Sequence, residues 1–463
     1  MPLQLDYTNM MADAVPGAIG TAQWTAARAA LGAAHADVRR QHGAGTLGFI
    51  DLPGDNALLE QCLAISKWAS NQRRITNVVV LGIGGSALGP IALRTALCRP
   101  GWNMLSDSER GGRPRLHVLD NVDPVTIGAL LDRLELSNTL FLVVSKSGGT
   151  AETMAQFIIV RERLKRGRLK LADHFVIVTD PEKGALRPIA VADGIRVADI
   201  PPNVGGRFSV LSPVGVLPAA LVGIDVRGLL GGANDIVQRS ASDDPAANPA
   251  LAYAGLQWVA DTQLDRRMHV FMPYSDQLRD FAAWFVQLWA ESLGKVATSD
   301  KQHVGPTPIA ALGATDQHAQ VQLFMEGPPD KTITFVAVKH LGDDIPIPAA
   351  ASDGGDLAYL GGHTLGELLS VEQRATAGAL ARRGRPSMTL TLDRVDARHV
   401  GGLIMLLELA TAYAGSLYGV NAFDQPGVEL GKQFAYAILG RPGFDSARQE
   451  WESLPPPNPA RIV

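Results

Sequence analysis

The chain has 463 residues, which is too long for one ordinary hydrophobic core. Of these residues, 46% are hydrophobic and 19% charged, a composition typical of a globular enzyme. Its formal net charge of −4 gives no electrostatic reason to expect a nucleic acid or an anionic membrane as partner, so an anionic substrate would need a local site. Its two cysteines, Cys62 and Cys98, are too few for a disulfide framework and suit a reducing compartment such as the cytoplasm.

The first stretch of the chain, residues 1–54, is predicted to be a helical segment. Residues 21–40 are rich in alanine and other helix formers, with apolar side chains mainly on one side. The opening letters MPLQLDYTNM contain neither the basic region nor the apolar region of a secretory signal. We therefore expect no signal peptide.

From residue 77 onwards, short apolar runs alternate with helix-like segments such as residues 150–166. Four of these runs read as buried strands: VVVLG at 78–82, LHVLD at 116–120, TLFLVV at 139–144 and HFVIVTD at 174–180. Nearly continuous apolar strands that alternate with helices predict a parallel sheet covered on both faces.

A second unit of the same kind is predicted after a polar stretch, QRSASDDPAANPA at 238–250, which marks a loop or a boundary. The strand pattern then restarts with MHVFMP at 268–273, TITFVAV at 332–338 and SMTLTL at 387–392. The sequence therefore predicts two α/β units.

The longest apolar stretch without a charge, residues 208–224, is at the short limit for a membrane span and contains Pro213 and Pro218. We interpret it as a buried helix between loops, and we expect no other segment to approach a membrane span. The proline-rich end, SLPPPNPARIV, is predicted to be an extended tail.

A glycine-rich turn, VVVLGIGGSALGP at 78–90, follows the first predicted strand. Gly82, Gly84 and Gly85 allow a tight turn and a close approach of the backbone to a ligand, and the next helix would direct its N-terminus at an anion. The turn also resembles a dinucleotide-binding fingerprint, but Asp120 lies well beyond the spacing of about 20 residues expected for the ribose-binding acid. Taken alone, this turn is equally consistent with binding a nucleotide, with binding a sugar phosphate and with a purely structural role in packing.

A second loop, SKSGGT, ends the predicted strand 139–144 and precedes a helix. Three hydroxyls, a lysine and the free N–H groups of the helix start suit a phosphate monoester: Ser145, Lys146, Ser147 and Thr150. The alternative is an ordinary polar connection in which Thr150 caps the helix, but a cap needs only one hydroxyl. The sequence contains no G-x-x-x-x-G-K-[ST] motif, so it gives no support to nucleoside triphosphate hydrolysis.

An arginine in an unusual position, Arg207, follows two glycines in NVGGRFS and enters the long apolar stretch. Arginine beside buried surface is seldom unpaired. It is either a structural ion pair or a ligand for developing negative charge, and on local grounds the structural reading leads.

A carboxylate, Glu291, falls near the end of a helix predicted in DFAAWFVQLWAESLGK at 280–295. One face of this helix is apolar, and Gly294 is a natural terminator. Partial burial there suits a general base, although a solvated carboxylate at a helix end is more common.

Two further segments contain single residues that could carry chemistry. His318 lies in GATDQHAQVQ, and the ten histidines show no H-x-H, H-E-x-x-H or Cys/His cluster that would indicate a metal. An isolated histidine is more often a surface or packing residue than a catalyst. In FDQPGVELGKQFAYAIL, Pro426 suits the first position of a helix on which Glu429 and Lys432 would form a surface pair.

Six segments in this order resemble the successive signature motifs of the phosphoglucose isomerase family: GIGGS, SKSGGTAET, VGGRFS, QLWAESLGK, GATDQH and DQPGVELGK. They extend from residue 82 to residue 432, and the length suits the shorter bacterial form. Pro426, where some members have an aromatic residue, and Leu293, within E-S-x-G-K, are small departures. The resemblance implies an α/β fold with two sugar-isomerase (flavodoxin-like) domains of parallel sheets flanked by helices, plus N- and C-terminal helical segments. We expect a helical segment packed on the large domain (1–54), a small domain (55–228) and a large domain with the C-terminal helices (229–463).

The resemblance also implies a reversible isomerisation of glucose 6-phosphate and fructose 6-phosphate, through ring opening and a cis-enediol, in glycolysis and gluconeogenesis. Glu291 would be the base and Arg207 the group that stabilises the enediolate, while His318 and Lys432 would open the ring. The residues implied for the phosphate are Ser86, Ser145, Lys146, Ser147 and Thr150. Those implied for the sugar are Gly85, Gly206, Gln287 and Gln425.

The resemblance further implies a homodimer in which His318 reaches the site of the other subunit, without a metal or redox cofactor and without nucleic acid or membrane as partner. A non-catalytic sugar-phosphate-binding module is a rival, but it would need the two loops and not Glu291, His318 or Lys432. A nucleotide-dependent dehydrogenase is a rival that rests on GIGGSA alone. Side activity on mannose 6-phosphate stays open.

Overall fold

The computed structural model describes residues 3–72, 75–299, 301–349 and 355–463; residues 1 and 2 of the predicted N-terminal segment lie outside the described part. The N-terminal segment begins with a strand and continues into helices: β1 (Leu3–Asp6), α1 (Thr21–Gly43) and α2 (Asn56–Gln72). Helix α1 packs on helices of the second half of the chain, and α2 packs on the first half.

The first sheet is entirely parallel. Its strands are β2 (Asn77–Leu81), β3 (Arg115–Leu119), β4 (Thr139–Val144), β5 (Phe175–Thr179) and β6 (Arg196–Asp199). The helices between them are α3 (Leu88–Leu97), α4 (Pro124–Arg133), α5 (Ala151–Arg166), α6 (Leu171–His174) and α7 (Leu186–Asp193). Every residue of β2, β4 and β5 is buried, which explains their continuous apolar sequences and confirms the predicted covered sheet.

Three helices connect the two sheets: α8 (Pro213–Leu221), α9 (Val226–Arg239) and α10 (Pro249–Leu264). All nine residues of α8 are buried. The apolar stretch 208–224 therefore contains a buried helix, as predicted.

The second sheet is built mainly from the second half of the chain. Its elements, with the helices and a short hairpin between them, are β7 (Met268–Pro273), α11 (Arg279–Leu293), β8 (Lys295–Val296), β9 (His303–Val304), β10 (Thr307–Ala310), α12 (Val321–Glu326), β11 (Lys331–His340), α13 (Leu365–Arg382) and β12 (Ser387–Arg394). Strand β1 joins this sheet antiparallel to β12, with Leu3 opposite Leu392. The expectation of a helical opening segment missed this strand, since four residues with two alternating leucines are too short for a periodicity to be recognised.

The chain ends with three helices: α14 (Ala397–Leu417), α15 (Glu429–Ile438) and α16 (Asp445–Glu452). By length and composition α14 is apolar enough to cross a membrane, and 89% of its most apolar window is buried inside the structure. The expectation that only residues 208–224 approach a membrane span was therefore wrong. Such burial is typical of a core helix, because α14 packs along α9, α10 and α1.

The two sheets share one strand order. In the first, β2 lies between β3 and β4; in the second, β7 lies between β10 and β11. In each sheet the first parallel strand in the chain therefore separates the second from the third. Loops that leave the carboxyl ends of the strands at such a point diverge and open a crevice where ligands bind. GIGGS after β2, SKSGGT after β4 and the loop of His318 after β10 all leave these ends.

Candidate active site

The predicted base, Glu291, lies beside the guanidinium group of Arg207. The distance from Arg207 Nη1 to Glu291 Oε1 is 3.2 Å, and the side chains are 3% and 26% exposed, respectively. One turn earlier on α11, the amide of Gln287 donates to Glu291 Oε2 at 3.0 Å. The opposite face of α11 is buried and fixes the helix: Phe281, Trp284, Phe285, Leu288 and Trp289. The carboxylate is therefore held on both oxygens while part of it still faces solvent.

Arg207 is the most highly connected side chain of the site. Its Nε donates to Ser292 Oγ at 2.7 Å, and its Nη1 donates to Gln425 Oε1 at 3.2 Å. Its Nη2 donates to the carbonyls of Ala422 at 2.6 Å and Asp424 at 2.7 Å. Burial lowers the pKa of this guanidinium group, and the nearby carboxylates oppose that effect. The arginine is thus a structural ion pair, as local reasoning favoured, and it also stands against the predicted base.

Two glycines allow the backbone of the GIGGS turn to reach this cluster. A Cβ atom on Gly85 would lie 2.3 Å from the carbonyl oxygen of Gly206 and 2.9 Å from the nitrogen of Arg207. Gly84 has φ +56°, and a Cβ atom there would lie 2.9 Å from the amide nitrogen of Gln287. Larger side chains would separate the first sheet from Arg207 and α11.

The hydroxyl groups of the SKSGGT loop converge beside the start of α5. Ser145 Oγ lies 3.1 Å from Thr150 Oγ1, and Ser147 Oγ lies 3.5 Å from the same atom. Thr150 occupies the N-cap position, but its side chain makes no capping hydrogen bond. The hydroxyl groups and the first N–H groups of the helix therefore face one space, as an anion site requires. Ser86, half-buried, ends the turn after the adjacent strand β2.

Lys146, also predicted to bind phosphate, donates in this structure to the carbonyls of Pro202 at 2.7 Å and Val204 at 2.8 Å. Burial lowers the pKa of its ammonium group, and Asp180 opposes this. It thereby holds the loop that leads into Arg207. In the part of the chain that the structure describes, these two bonds use two of its three N–H donors, which leaves one for a ligand.

Among the described residues, His318 forms no hydrogen bond or ion pair with Arg207 or Glu291. It follows a short 3₁₀ turn, Thr315–Gln317, and is exposed. Within the described ranges, its imidazole makes no hydrogen bond to another side chain or to the backbone. The turn itself is fixed, because Asp316 accepts a bond from the backbone nitrogen of Leu312 at 2.7 Å.

Lys432 is also exposed, and it pairs with Glu429 at 2.9 Å on α15, which is the surface pair that its spacing allows. The helix begins at Glu429, after a 3₁₀ turn, Pro426–Val428. Proline therefore starts the turn and not the helix, a small departure from the prediction. On the same helix, Tyr436 donates to the carbonyl of Gly149 at 3.4 Å, which places α15 beside the SKSGGT loop.

Sequence reasoning missed three residues that support the site: Ser292, Lys295 and Asp424. Ser292 binds Arg207, and Lys295 binds Asp424 at 2.7 Å. All three lie inside the segments QLWAESLGK and FDQPGVELGK, which are rich in polar groups beside apolar faces. That polarity is the only signal in the sequence, since it does not reveal which groups meet.

The family model that matches this chain and the sequence relatives named below agree on one family. The family model for phosphoglucose isomerase matches residues 58–454. A glucose-6-phosphate isomerase of Rubrobacter xylanophilus is 48% identical over 399 residues, which cover 86% of this chain and 90% of that protein. A glucose-6-phosphate isomerase of Carboxydothermus hydrogenoformans is 43% identical over 457 residues, 97% of each chain.

Solved structures agree with the sequence relatives. A hypothetical protein from Thermus thermophilus is similar with a TM-score of 0.85 and 39% identity, covering 95% of this chain and all of that chain. A glucose-6-phosphate isomerase from Chlamydia trachomatis has a TM-score of 0.71 and 27% identity, over 86% of this chain and 77% of that chain. These likenesses support the predicted fold over nearly the whole chain.

Proposed function

The chain belongs to the phosphoglucose isomerase family, and on that premise we propose which of its residues interconvert glucose 6-phosphate and fructose 6-phosphate. The reaction is an aldose–ketose isomerisation, in which hydrogen moves between the adjacent carbons C1 and C2. The pairing of Arg207 with Glu291 at 3.2 Å is the observation that carries the proposal.

The phosphate of the substrate binds in the SKSGGT loop. Support comes from the convergence of Ser145, Ser147 and Thr150 at the start of α5. Lys146 belongs to the same loop, and Ser86 ends the turn after the adjacent strand β2. Hydroxyl groups, a cation and helix N–H groups together satisfy several phosphate oxygens. Because the phosphate is remote from C1 and C2, its binding energy orients the carbons that react.

Ring opening precedes proton transfer. One group must protonate the ring oxygen while another removes the proton of the C1 hydroxyl, and His318 and Lys432 are suited to these two steps. Both stand on exposed segments, and α15 reaches the phosphate loop through Tyr436. Lys432 has to leave Glu429 to act.

Glu291 then carries the proton between the two carbons. Its carboxylate removes the C2 proton of the open-chain aldose while the C1 oxygen gains a proton, which gives a cis-enediol intermediate. The carboxylic acid then returns its proton to C1 as the C2 hydroxyl loses its own proton, and the ketose forms. One carboxylate serves both carbons because they are adjacent.

Arg207 stabilises the negative charge that develops on the oxygens during this transfer. The guanidinium group is held by Ser292 and by two backbone carbonyls, so it does not have to reorganise as charge appears. A fixed cation of this kind binds the transition state more strongly than the ground state. Gln287 and Gln425 flank the pair and contact the sugar hydroxyls, while Gly85 and Gly206 keep the backbone close.

The active unit is a homodimer in which His318 enters the site of the other subunit. The segment after residue 424 is mostly exposed, including apolar side chains such as Leu430, Ile438 and Leu439 at 48%, 51% and 77%. Leu323, just beyond His318, is 55% exposed. A second copy of the chain would cover these surfaces and give His318 a site to act in.

We place the enzyme in the cytoplasm. Cys62 and Cys98 are both free and buried. Burial raises the pKa of each thiol to about 12, so both stay protonated. Free cysteines suit a reducing compartment.

A coupled assay tests the activity directly. Purified, chelator-treated protein receives fructose 6-phosphate, and glucose 6-phosphate is detected with its dehydrogenase. We expect saturable product formation that scales with protein concentration and is absent from a mock preparation of the same host. Product formation no faster than in the mock preparation would refute the activity.

A further inference from the structure

A second buried cation, Lys295, lies beside the site and has no role in the mechanism above. It follows Glu291 by four residues, just past the end of α11, and its side chain is 8% exposed. Burial lowers the pKa of its ammonium group, and Asp424 opposes this shift. Removing a lysine from water is costly unless its donors are satisfied, so its partners indicate what it holds.

Within the described residues, the acceptors bound by its ammonium group all belong to one short segment, residues 421–424. The ammonium group donates to the carbonyl of Asn421, to the carbonyl of Asp424 at 2.7 Å and to Asp424 Oδ1 at 2.7 Å. Three acceptors match the three N–H donors of a lysine. Asn421 in turn donates to Asp424 Oδ2 at 2.9 Å, which closes the segment on itself.

The same segment binds Arg207. The carbonyl of Asp424 accepts from Lys295 and also from Arg207 at 2.7 Å, and the carbonyl of Ala422 accepts from Arg207 at 2.6 Å. The residue that follows, Gln425, accepts from the guanidinium group as well, at 3.2 Å. The side chains of Lys295 and Arg207 therefore both donate to backbone carbonyls of the same segment, residues 421–424.

The remaining anchor of the segment is apolar. Phe423 packs on Phe208, with 5.0 Å between ring centroids, and on Phe49 at 6.2 Å. Aromatic packing fixes the position of the segment but leaves its carbonyls free to rotate. Hydrogen bonds to Lys295 fix the direction of the carbonyls that Arg207 uses.

Resting on the proposed function, we propose that Lys295 is a positioning residue. It fixes segment 421–425, and through this segment it aims Arg207 and Gln425 at the reacting carbons next to Glu291. It does not touch the substrate. A misplacement of about 1 Å at a site of this kind costs about 100-fold in rate.

The test replaces Lys295 with methionine, which retains a flexible unbranched side chain but no charge or donor. We expect Lys295→Met to lower kcat about 100-fold while KM for fructose 6-phosphate changes less than about threefold, because the phosphate loop is untouched. Asp424→Asn keeps the carbonyl acceptors and should lower kcat about tenfold. The double variant should be no slower than Lys295→Met alone, since both changes break one unit.

Lys331 offers a matched control. It is 2% exposed and donates to the carboxylate of Asp330 and to the carbonyl of Pro328 at 3.0 Å, at the start of β11. Lys331→Met should lower thermal stability and leave kcat within about twofold of the wild type, because only the fold depends on it.

The outcomes separate this inference from the proposed function. If the unaltered chain isomerises fructose 6-phosphate but Lys295→Met keeps its kcat, the inference is wrong and the function stands. If the unaltered chain is inactive, the proposed function fails, and the inference fails with it. If Lys295→Met does not fold, Asp424→Asn decides: a wild-type kcat in that variant would overturn the positioning role.

Discussion

The proposed site contains two contrasting pairs of residues. One is Arg207 with Glu291, and the other is His318 with Lys432. The first pair is linked by direct contact and held by Ser292, Gln287 and segment 421–425 inside one chain. His318 and Lys432 stand on exposed segments, and Lys432 is engaged with a surface glutamate. One chain therefore completes the part of the site proposed for proton transfer and leaves open the part proposed for ring opening.

The difference follows from what each step requires. Stabilising charge on an enediolate needs a dipole or cation that is already oriented, which burial and multiple hydrogen bonds provide. General acid–base groups need access to a proton and room to change partners, which an exposed side chain has. A second subunit can supply the missing surroundings without disturbing the buried pair.

The largest expected effect is at the buried pair. Glu291→Gln should lower kcat by about 10³-fold or more, because the amide cannot accept the proton. Binding of inorganic phosphate, followed by calorimetry, should stay near the wild-type value. Glu326→Gln is the matched control, since Glu326 is a 58% exposed carboxylate at the end of α12; its kcat should not change. A slow control variant, or near-normal turnover by Glu291→Gln, would remove Glu291 from the role of base.

The role of the exposed pair, His318 and Lys432, can be tested by combining two different variant subunits in one dimer and measuring the activity. His318→Ala should lose about 100-fold in kcat on the cyclic sugar. A purified heterodimer of Glu291→Gln with His318→Ala should recover about half of the wild-type activity, because one of its two sites is unaltered if His318 crosses the interface. Activity is measured on heterodimers isolated with two different affinity tags.

The control heterodimer combines Glu291→Gln with Arg207→Met. These residues contact each other within one chain, so each site carries one defect and activity should not return. Recovery in the control, or no recovery in the first heterodimer, would refute a site shared between subunits.

The smallest expected effect is at the phosphate loop, which both pairs depend on. Ser145→Ala should raise KM about tenfold and leave kcat within about threefold, because one hydrogen bond to a charged group is lost. Ser66→Ala removes a hydroxyl that binds the carbonyl of Ala220 at 3.2 Å, and it should leave both constants unchanged. A fall in kcat with constant KM would place Ser145 among the groups that act on the reacting carbons.

The strands that sequence patterns predicted are mostly well buried. The three strands of the two large sheets that escaped prediction, β1, β6 and β10, all lie at sheet edges. β6 and β10 are short and only partly buried, so their sequences, RVAD and TPIA, contain no apolar run. Burial, and not strand geometry, produces the signal that a sequence displays.

Sequence motifs predict the individual residues of the site, but they do not predict which of these residues contact one another. The two loops after β2 and β4 were recognised by their glycines and hydroxyls, which reflect local chemistry. Arg207 was ambiguous because its partners in segment 421–425 follow more than 200 residues later. Lys295 and Asp424 are likewise separated by 129 positions in the sequence, and no local pattern reports such a contact.

Isotope transfer from solvent tests the central claim, that Glu291 moves a proton between C2 and C1. Fructose 6-phosphate is isomerised in D₂O, and glucose 6-phosphate from early time points is examined by NMR for deuterium at C2. We expect deuterium at C2 with the unaltered chain, since a carboxylate exchanges its proton with solvent, and neither product nor label with Glu291→Gln. Product labelled at C2 that Glu291→Gln forms at the wild-type rate would contradict the account.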